Sequence, residues 1–154
     1  MAAVEKELCD VLGPLEDRSA TKPFLHSNYY EKEMGRNLSR YFLLFQPLVS
    51  RGQLPEVKLR TNEIEERHAQ QGNRTVNIDP GYIALEHVVL ATTKGFAHRL
   101  YLGEGIFGDL TLMFENGGYH GLPWTYPDYG SEETIALCMG WRQRYKESLR
   151  CQKA

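Results

Sequence analysis

Two hydroxyl groups and an ammonium group precede a glycine in the segment TTKG at residues 92–95, which follows a long apolar run. Loops that follow strands often carry the sites of α+β proteins, and Thr93, Lys94 and a glycine-exposed backbone suit a phosphate or carboxylate. His98 follows closely, and a histidine beside Lys94 could act as a general acid or base. The alternative interpretation is that His98 is a core residue whose ring nitrogens are hydrogen-bonded within the protein. Tyr101 lies on the same short strand and is a further candidate for ligand contact.

A second polar group combines a turn with one stripe of a predicted helix. Asp79 stands before a Pro-Gly pair, which is ordinary turn chemistry, and Asn77 comes just before it. Lys58 and Asn62 fall beside the apolar stripe of the helix predicted for residues 54–71. We expect ligand contacts from the lysine and the two asparagines, and a catalytic role for Asp79 as a base or metal ligand. The alternative is a polar boundary of the core that binds nothing.

The third candidate is the segment LPWTYPDYG at residues 122–130. Pro123 and Pro127 each restrict the backbone and remove an amide donor, so this segment is predicted to be a rigid loop. Such a loop either closes a core or frames a site. We expect it to form one wall of a cleft, with an aromatic ring stacked on a planar ligand. Its candidate binding residues are Trp124, Thr125 and Tyr126, and its candidate catalytic residue is Asp128.

Hydrophobic periodicity and turn residues predict the elements that must position these groups. Helices are predicted at residues 4–12, 54–71 and 131–149, and the first ends at Gly13-Pro14. The apolar run at 39–46 is the candidate for a central strand buried on both faces. Leu110, Leu112 and Phe114 are expected on one face of a single strand. The predicted strands lie at 23–26, 39–46, 75–78, 82–92, 98–102 and 106–114, with turns at 103–105 and 116–118.

This order of elements predicts one α+β domain over residues 1–154. The expected core is a ferredoxin-like split βαβ arrangement that lacks its first strand, extended by a β-meander and a C-terminal helix. An unpaired sheet edge invites pairing, so a homodimer is an expected assembly.

Composition restricts the class of partner. A formal net charge of -2 supplies no general field for nucleic acid or anionic lipid. The longest apolar run is too short to span a bilayer, and the acidic start of the chain is unlike a signal peptide, so a cytoplasmic location is expected. Three scattered cysteines favour neither a zinc site nor a disulfide framework. The P-loop, nucleophile-elbow and zinc-protease patterns are absent, and no cofactor is indicated.

Six motifs in one order resemble an uncharacterised prokaryotic family, domain of unknown function 4416, from about Leu8 to Leu149. The resemblance departs in two places: relatives usually have a short apolar strand before the first helix, and they tend to have Asp where this chain has Gly95. Some members are labelled GTP-binding, but Gly95 and Phe96 leave the base-reading Thr-Lys-x-Asp pattern incomplete here. The motifs are YYEKEMG at 29–35, TNEIE at 61–65, NIDPGY at 77–82, LATTK at 90–94, HRLYLG at 98–103 and PWTYPDY at 123–129.

Two functional hypotheses follow. The first is a protein that binds a small phosphorylated or nucleotide-like ligand in a cleft lined by the aromatic loop, with an enzymatic activity left open. The alternative is a non-enzymatic interaction module that docks another protein on the aromatic loop and on the exposed face of the 54–71 helix. RNA binding is disfavoured because acidic residues balance the basic residues of the last helix.

Overall fold

The computed structural model describes residues 2–24, 31–35 and 37–151. The chain divides into two compact units, Met1–Pro80 and Gly81–Ala154, called here the N-terminal unit and the C-terminal unit. Helices and antiparallel strands occur in both, which confirms the α+β class. The single domain and the ferredoxin-like core stay predictions. None of the helices in the described part of the chain is both long and apolar enough to cross a bilayer.

The N-terminal unit contains three α-helices and four short strands within its described residues. Helix α1 packs against α3, and Val4, Leu8 and Ile64 are buried at their contact. Gly13 ends α1 with a φ of 88°, and its N–H donates to the Cys9 carbonyl, as expected of a helix-terminating glycine. The elements are α1 (Ala2–Leu12), β1 (Leu15–Arg18), β2 (Lys22–Pro23), α2 (Glu31–Met34), β3 (Ser39–Arg40), β4 (Leu43–Phe45), a 3₁₀ helix (Arg51–Gln53) and α3 (Leu54–Arg67).

The prediction of a central strand at 39–46 is wrong. The segment forms two short strands in separate two-stranded sheets, β1 with β4 and β2 with β3. Two of its aromatic rings lie against arginine: the Arg18 guanidinium is 4.5 Å from the ring centroid of Tyr41, and that of Arg40 is 5.3 Å from the ring centroid of Phe42. Apolar composition alone cannot separate such cation–π contacts from a buried core.

Two further boundaries in this unit differ from the predictions. Helix α3 ends at Arg67 because Gln71 and Gly72, with φ of 52° and 81°, form a tight turn closed by a bridge between Gln70 and Asn73. Residues 75–78 are irregular rather than a strand. The strand predicted at 23–26 is confirmed for Pro23 and wrong for Phe24, which follows the end of β2. Residues 25 and 26 lie outside the described residues, as do Tyr29 and Tyr30 of the first family motif.

The C-terminal unit is a five-stranded antiparallel sheet with one long helix. The central strand β8 pairs with β6 on one side; on the other it pairs first with β7 and then with β9. Helix α4 packs on this sheet around buried Val88, Leu112, Tyr119 and Cys138. The elements are β5 (Gly81–Ile83), β6 (His87–Thr92), β7 (Arg99–Gly103), β8 (Ile106–Glu115), β9 (Gly118–Gly121) and α4 (Glu132–Cys151).

Local signals predicted this unit well, with two errors. The β7–β8 hairpin and helix α4 are confirmed, and the Thr134 N–H donates to the Ser131 hydroxyl at the start of the helix. The single strand expected at 82–92 is wrong, because the chain turns between β5 and β6. The shared face of Leu110 and Leu112 is also wrong. They pair with the adjacent residues Val89 and Val88, so a β-bulge puts them on opposite faces.

Candidate functional site

The bulge in β8 coincides with a gap in its pairing. On one edge, β7 pairs with β8 as far as Asp109, and the pairing of β9 with β8 starts at Leu112. Leu110 and Thr111 therefore have no strand partner on this edge among the described residues. Strand carbonyls left without a ladder partner need another donor. The aromatic loop at 122–130 supplies both donors from its side chains. The indole Nε1 of Trp124 donates to the Leu110 carbonyl at 2.8 Å, and the Thr125 hydroxyl donates to the Thr111 carbonyl at 2.6 Å.

The loop is held in this position by its own turns. The Leu122 N–H donates to the Thr125 hydroxyl at 2.7 Å, and the Thr125 N–H donates to the Leu122 carbonyl. The N–H groups of Tyr129 and Gly130 both donate to the Tyr126 carbonyl. The Thr125 hydroxyl is therefore engaged as both donor and acceptor, which makes it part of the sheet's structure.

Trp124 also joins the loop to the residue that precedes β7. Its ring stacks on His98 with 5.0 Å between centroids and an interplanar angle of 17°. His98 Nε2 lies 3.5 Å from a carboxylate oxygen of Asp109, and Arg99 Nε donates to the same oxygen at 2.8 Å. Arg99 also donates to the Lys94 carbonyl, and its guanidinium lies 5.1 Å from the Phe96 ring centroid. The loop at 92–98 is thus tied to the sheet through one buried carboxylate.

Arg99 and Asp109 belong to this cluster but were not among the predicted site residues. Both are largely buried, and they are directly paired across the β7–β8 hairpin. The turn at 103–105 was recognised from sequence, so counting outward from it could have placed these opposite charges on paired strands. The cluster links a histidine, a carboxylate and two aromatic rings in a fixed arrangement.

An exposed apolar surface adjoins this cluster. Leu100, Tyr101 and Leu102 are 75%, 64% and 41% exposed, and they form the middle of β7. Strand β7 pairs with β8 alone among the described strands, so it is an edge of the sheet. We call this region the aromatic edge surface; it consists of the exposed side chains of Phe96, Leu100, Tyr101, Leu102, Trp124 and Tyr126.

The N-terminal unit has a network of polar groups on α3 and on the segment that follows it. Lys58 is buried, and its Nζ donates to the Ile78 carbonyl at 2.8 Å. Glu65 is buried as well and accepts the Ile78 N–H at 2.5 Å. Burial lowers the pKa of Lys58, while the charges of Glu65 and Asp79 act in the opposite direction. The two side chains therefore clamp the backbone of Ile78 onto the helix.

Arg74 extends this network. It donates to both carboxylate oxygens of Glu33 at 2.8 and 2.9 Å, to Glu65 at 3.3 Å and to the Asn77 amide oxygen at 2.9 Å. These contacts raise the pKa of Arg74, chiefly through the hydrogen bonds to Glu33. Asn77 donates in turn to Asp79 at 3.1 Å. Glu33, Glu65 and Arg74 were not among the predicted site residues, although Glu65 shares a helix face with Lys58.

Arg40 adds a further cation to this region, since it lies 3.3 Å from Asp79. With Lys58, Arg74, Glu33, Glu65 and Asp79, the region holds three cations and three carboxylates. Cations and carboxylates are therefore equal in number within the network, as expected of ion pairs with a structural role.

The predicted site residues are divided between the two units. Lys58, Asn77 and Asp79 belong to the N-terminal network, and half-buried Asn62 lies on the same helix. In the C-terminal unit, His98 and Trp124 are in contact, Thr125 binds β8, and the Tyr101 ring packs edge-on against Phe107. The other predicted residues there lie on the loops, where Thr93, Lys94 and Tyr126 are exposed and the Asp128 carbonyl accepts the Ser131 hydroxyl.

Within residues 2–24, 31–35 and 37–151, no group of three or more His, Cys, Asp or Glu side chains could hold a metal ion.

These features define an α+β protein with a partly buried ionic network in one unit and an exposed aromatic sheet edge in the other. Residues 1–145 match the family described as Domain of unknown function (DUF4416), and the chain belongs to that family. The resemblance seen in the six sequence motifs is thereby confirmed. The comparisons with curated proteins and with solved structures found no match.

Proposed function

We propose that this protein is a binding module that docks another protein on the aromatic edge surface. The observation that carries the proposal is the run Leu100-Tyr101-Leu102, three consecutive apolar residues exposed on an edge strand. Soluble proteins protect such edges with charge, proline or covering segments, because an open edge pairs with other chains. Leu100 and Leu102 lie on one face of β7 and Tyr101 on the other, so both faces of this edge strand expose apolar surface, which is a feature of interaction sites.

The surroundings of the surface support a binding role. Trp124 and Phe96 are oriented by ring contacts with His98, and the contacts of Asp109 with His98 and Arg99 fix the start of β7. Aromatic side chains held in one geometry lose little conformational freedom on binding, which is why such residues dominate interaction hot spots. The surface therefore combines large apolar area with a rigid frame.

The test is capture of protein partners by three immobilised variants. Wild type, Leu100→Glu and Leu48→Glu are incubated with an extract of the cells in which the protein occurs, and retained proteins are quantified by mass spectrometry. Leu48 is a matched control because it is 50% exposed and lies in the other unit. We expect partners retained by wild type and Leu48→Glu and lost with Leu100→Glu. Identical retention by all three variants would refute the proposal.

The phosphorylated-ligand hypothesis is a second candidate, favoured by one specific observation. Thr93, Lys94 and Phe96 are all exposed in one short loop, so a hydroxyl, an ammonium and an aromatic ring lie close together along the chain. The Lys94 N–H donates to the Thr92 hydroxyl at 3.2 Å, and its carbonyl accepts from Arg99, so this loop has a defined backbone. Catalytic roles for His98, Asp79 and Asp128 stay predictions.

A thermal-shift panel of nucleotides, sugar phosphates and inorganic phosphate tests this second candidate. A ligand at about 100 times its dissociation constant stabilises the folded state by about 2.7 kcal/mol. The shift should disappear with Lys94→Ala and persist with Lys6→Ala, an exposed lysine of the other unit. A flat panel, or a shift that Lys94→Ala leaves unchanged, would count against the ligand hypothesis.

A further inference from the structure

The main chain of β7 presents hydrogen-bonding groups away from the sheet. The Arg99 N–H donates to the Phe96 carbonyl at 2.9 Å and so is directed away from β8. Alternate residues of an antiparallel strand direct their N–H and C=O groups to the same edge. The N–H and C=O of Tyr101 therefore face the open side of β7, between two exposed leucines. An extended strand is the partner that these groups can bind.

We infer that the aromatic edge surface pairs with a second copy of this chain, β7 against β7, in an antiparallel arrangement centred on Tyr101. This inference rests on the proposed function, because it names the partner of the same surface. A two-fold axis at Tyr101 lets each Tyr101 N–H donate to the Tyr101 carbonyl of the second copy. The two five-stranded sheets then join into one continuous sheet.

The backbone selects this register over its neighbours. Arg99 cannot be the central residue because its N–H is already engaged by Phe96. Gly103 is also excluded, since it lies at a pairing irregularity next to the turn and has a φ of 121°. Tyr101 remains as the outward-facing position at which both main-chain groups can pair.

The side chains agree with the same register. Pairing about Tyr101 places Leu100 opposite Leu102 of the second copy, so apolar side chains meet directly. The two Tyr101 rings become cross-strand neighbours about the two-fold axis. Apolar and aromatic pairs are among those that stabilise antiparallel strands. The edge is thus complementary to itself, which favours a second copy as its occupant.

Sedimentation from about 1 µM to about 1 mM tests self-association over the range expected of a small interface. Wild type and Leu48→Glu should show the same monomer–dimer equilibrium. Leu100→Glu should raise the dissociation constant at least about tenfold, because each dimer would then hold two new carboxylates at its apolar contact. Since Leu100 is 75% exposed, this variant retains the fold, and its circular dichroism spectrum checks that.

Cysteine cross-linking tests the register. Leu100→Cys and Leu102→Cys are made separately in a Cys151→Ser background, which removes the exposed native thiol. Opposed residues in the proposed pairing lie within disulfide reach, whereas two copies of residue 100 lie about 8 Å apart, beyond it. Oxidation should link a mixture of the two variants and leave each variant alone largely monomeric.

Two results overturn the inference: a wild type that is monomeric throughout the range, or a dimer that Leu100→Glu leaves intact. A monomeric wild type that still captures a different protein through Leu100 would overturn the second-copy inference while supporting the proposed function. If the wild type forms a dimer that depends on Leu100 but the capture experiment retains no other protein, the second-copy inference stands and docking of a different protein is refuted.

Discussion

Replacing Thr125 by valine should destabilise the C-terminal unit through the gap in β8. Valine keeps the shape of threonine but removes the hydroxyl that donates to the Thr111 carbonyl at 2.6 Å and accepts the Leu122 N–H at 2.7 Å. Each protein hydrogen bond contributes about 1 kcal/mol net, and a group left without a partner costs up to about 3 kcal/mol. Both bonds are partly buried, so water can replace some of what is lost. We expect a decrease of about 2 kcal/mol in the free energy of unfolding.

Urea unfolding followed by tryptophan fluorescence measures this change selectively. The chain has two tryptophans, Trp124 and Trp141, and both lie in the C-terminal unit, so the signal reports on the unit that carries the substitution. With a denaturant slope of about 2 kcal/mol/M, the expected loss lowers the midpoint by about 1 M.

Two further variants control for other effects of the substitution. Thr125→Ser keeps the hydroxyl and should recover most of the lost stability. Thr93→Val changes an exposed threonine in the same unit and should alter the free energy of unfolding by less than about 0.5 kcal/mol. If Thr125→Val unfolds at the wild-type midpoint, or if Thr125→Ser is as unstable as valine, the assignment of the loop as the partner of β8 is refuted.

Three other predictions concern titration and thiol access. Burial lowers the pKa of Lys58 below 10.5, so the folded state binds fewer protons than the unfolded chain in that interval. The free energy of unfolding should therefore rise with pH from the lowered pKa towards 10.5, and urea unfolding of Lys58→Met should lack this rise. Hydrogen bonds from Arg67 and His68 lower the pKa of Glu7, so an NMR titration of Arg67→Ala should give a higher Glu7 pKa than wild type; an unchanged value would contradict the contact. Burial raises the pKa of Cys138 to about 11, whereas Cys151 is exposed, so a thiol reagent should label Cys151 in the native protein and Cys138 only after unfolding. Peptide mapping distinguishes the two, and equal native labelling would show that Cys138 is accessible.

Elements with local signals were predictable from sequence. Helix α1 ends at Gly13 and helix α4 starts after Ser131, and both boundaries depend on residues within one turn of the helix end. The turn at 103–105 likewise identified the β7–β8 hairpin. Caps and tight turns are decided by the conformational preferences of a few adjacent residues, which is why a single sequence reveals them.

The errors fall where distant residues decide the structure. The run at 39–46 has the composition of a buried strand, but the rings of Tyr41 and Phe42 lie against arginines, and Arg18 is distant along the chain. The bulge in β8 follows from its pairing with β6, and no sequence signal near Leu110 indicates it. Strand pairing and cation–π contacts join residues that are separated along the chain, so local patterns do not encode them.

The candidate site shows the same division. Sequence determined that residues 122–130 form a rigid aromatic loop, because two prolines restrict its backbone and remove amide donors. Only the tertiary structure decided what the loop does. Trp124 and Thr125 donate to two carbonyls of β8 in the gap between its pairing with β7 and its pairing with β9. It also decided that Leu100, Tyr101 and Leu102 are exposed, because their strand is the edge of the sheet. An apolar triplet has the same sequence pattern in a central strand and in an edge strand. Whether the strand has a neighbour on both sides is decided only when the sheet assembles.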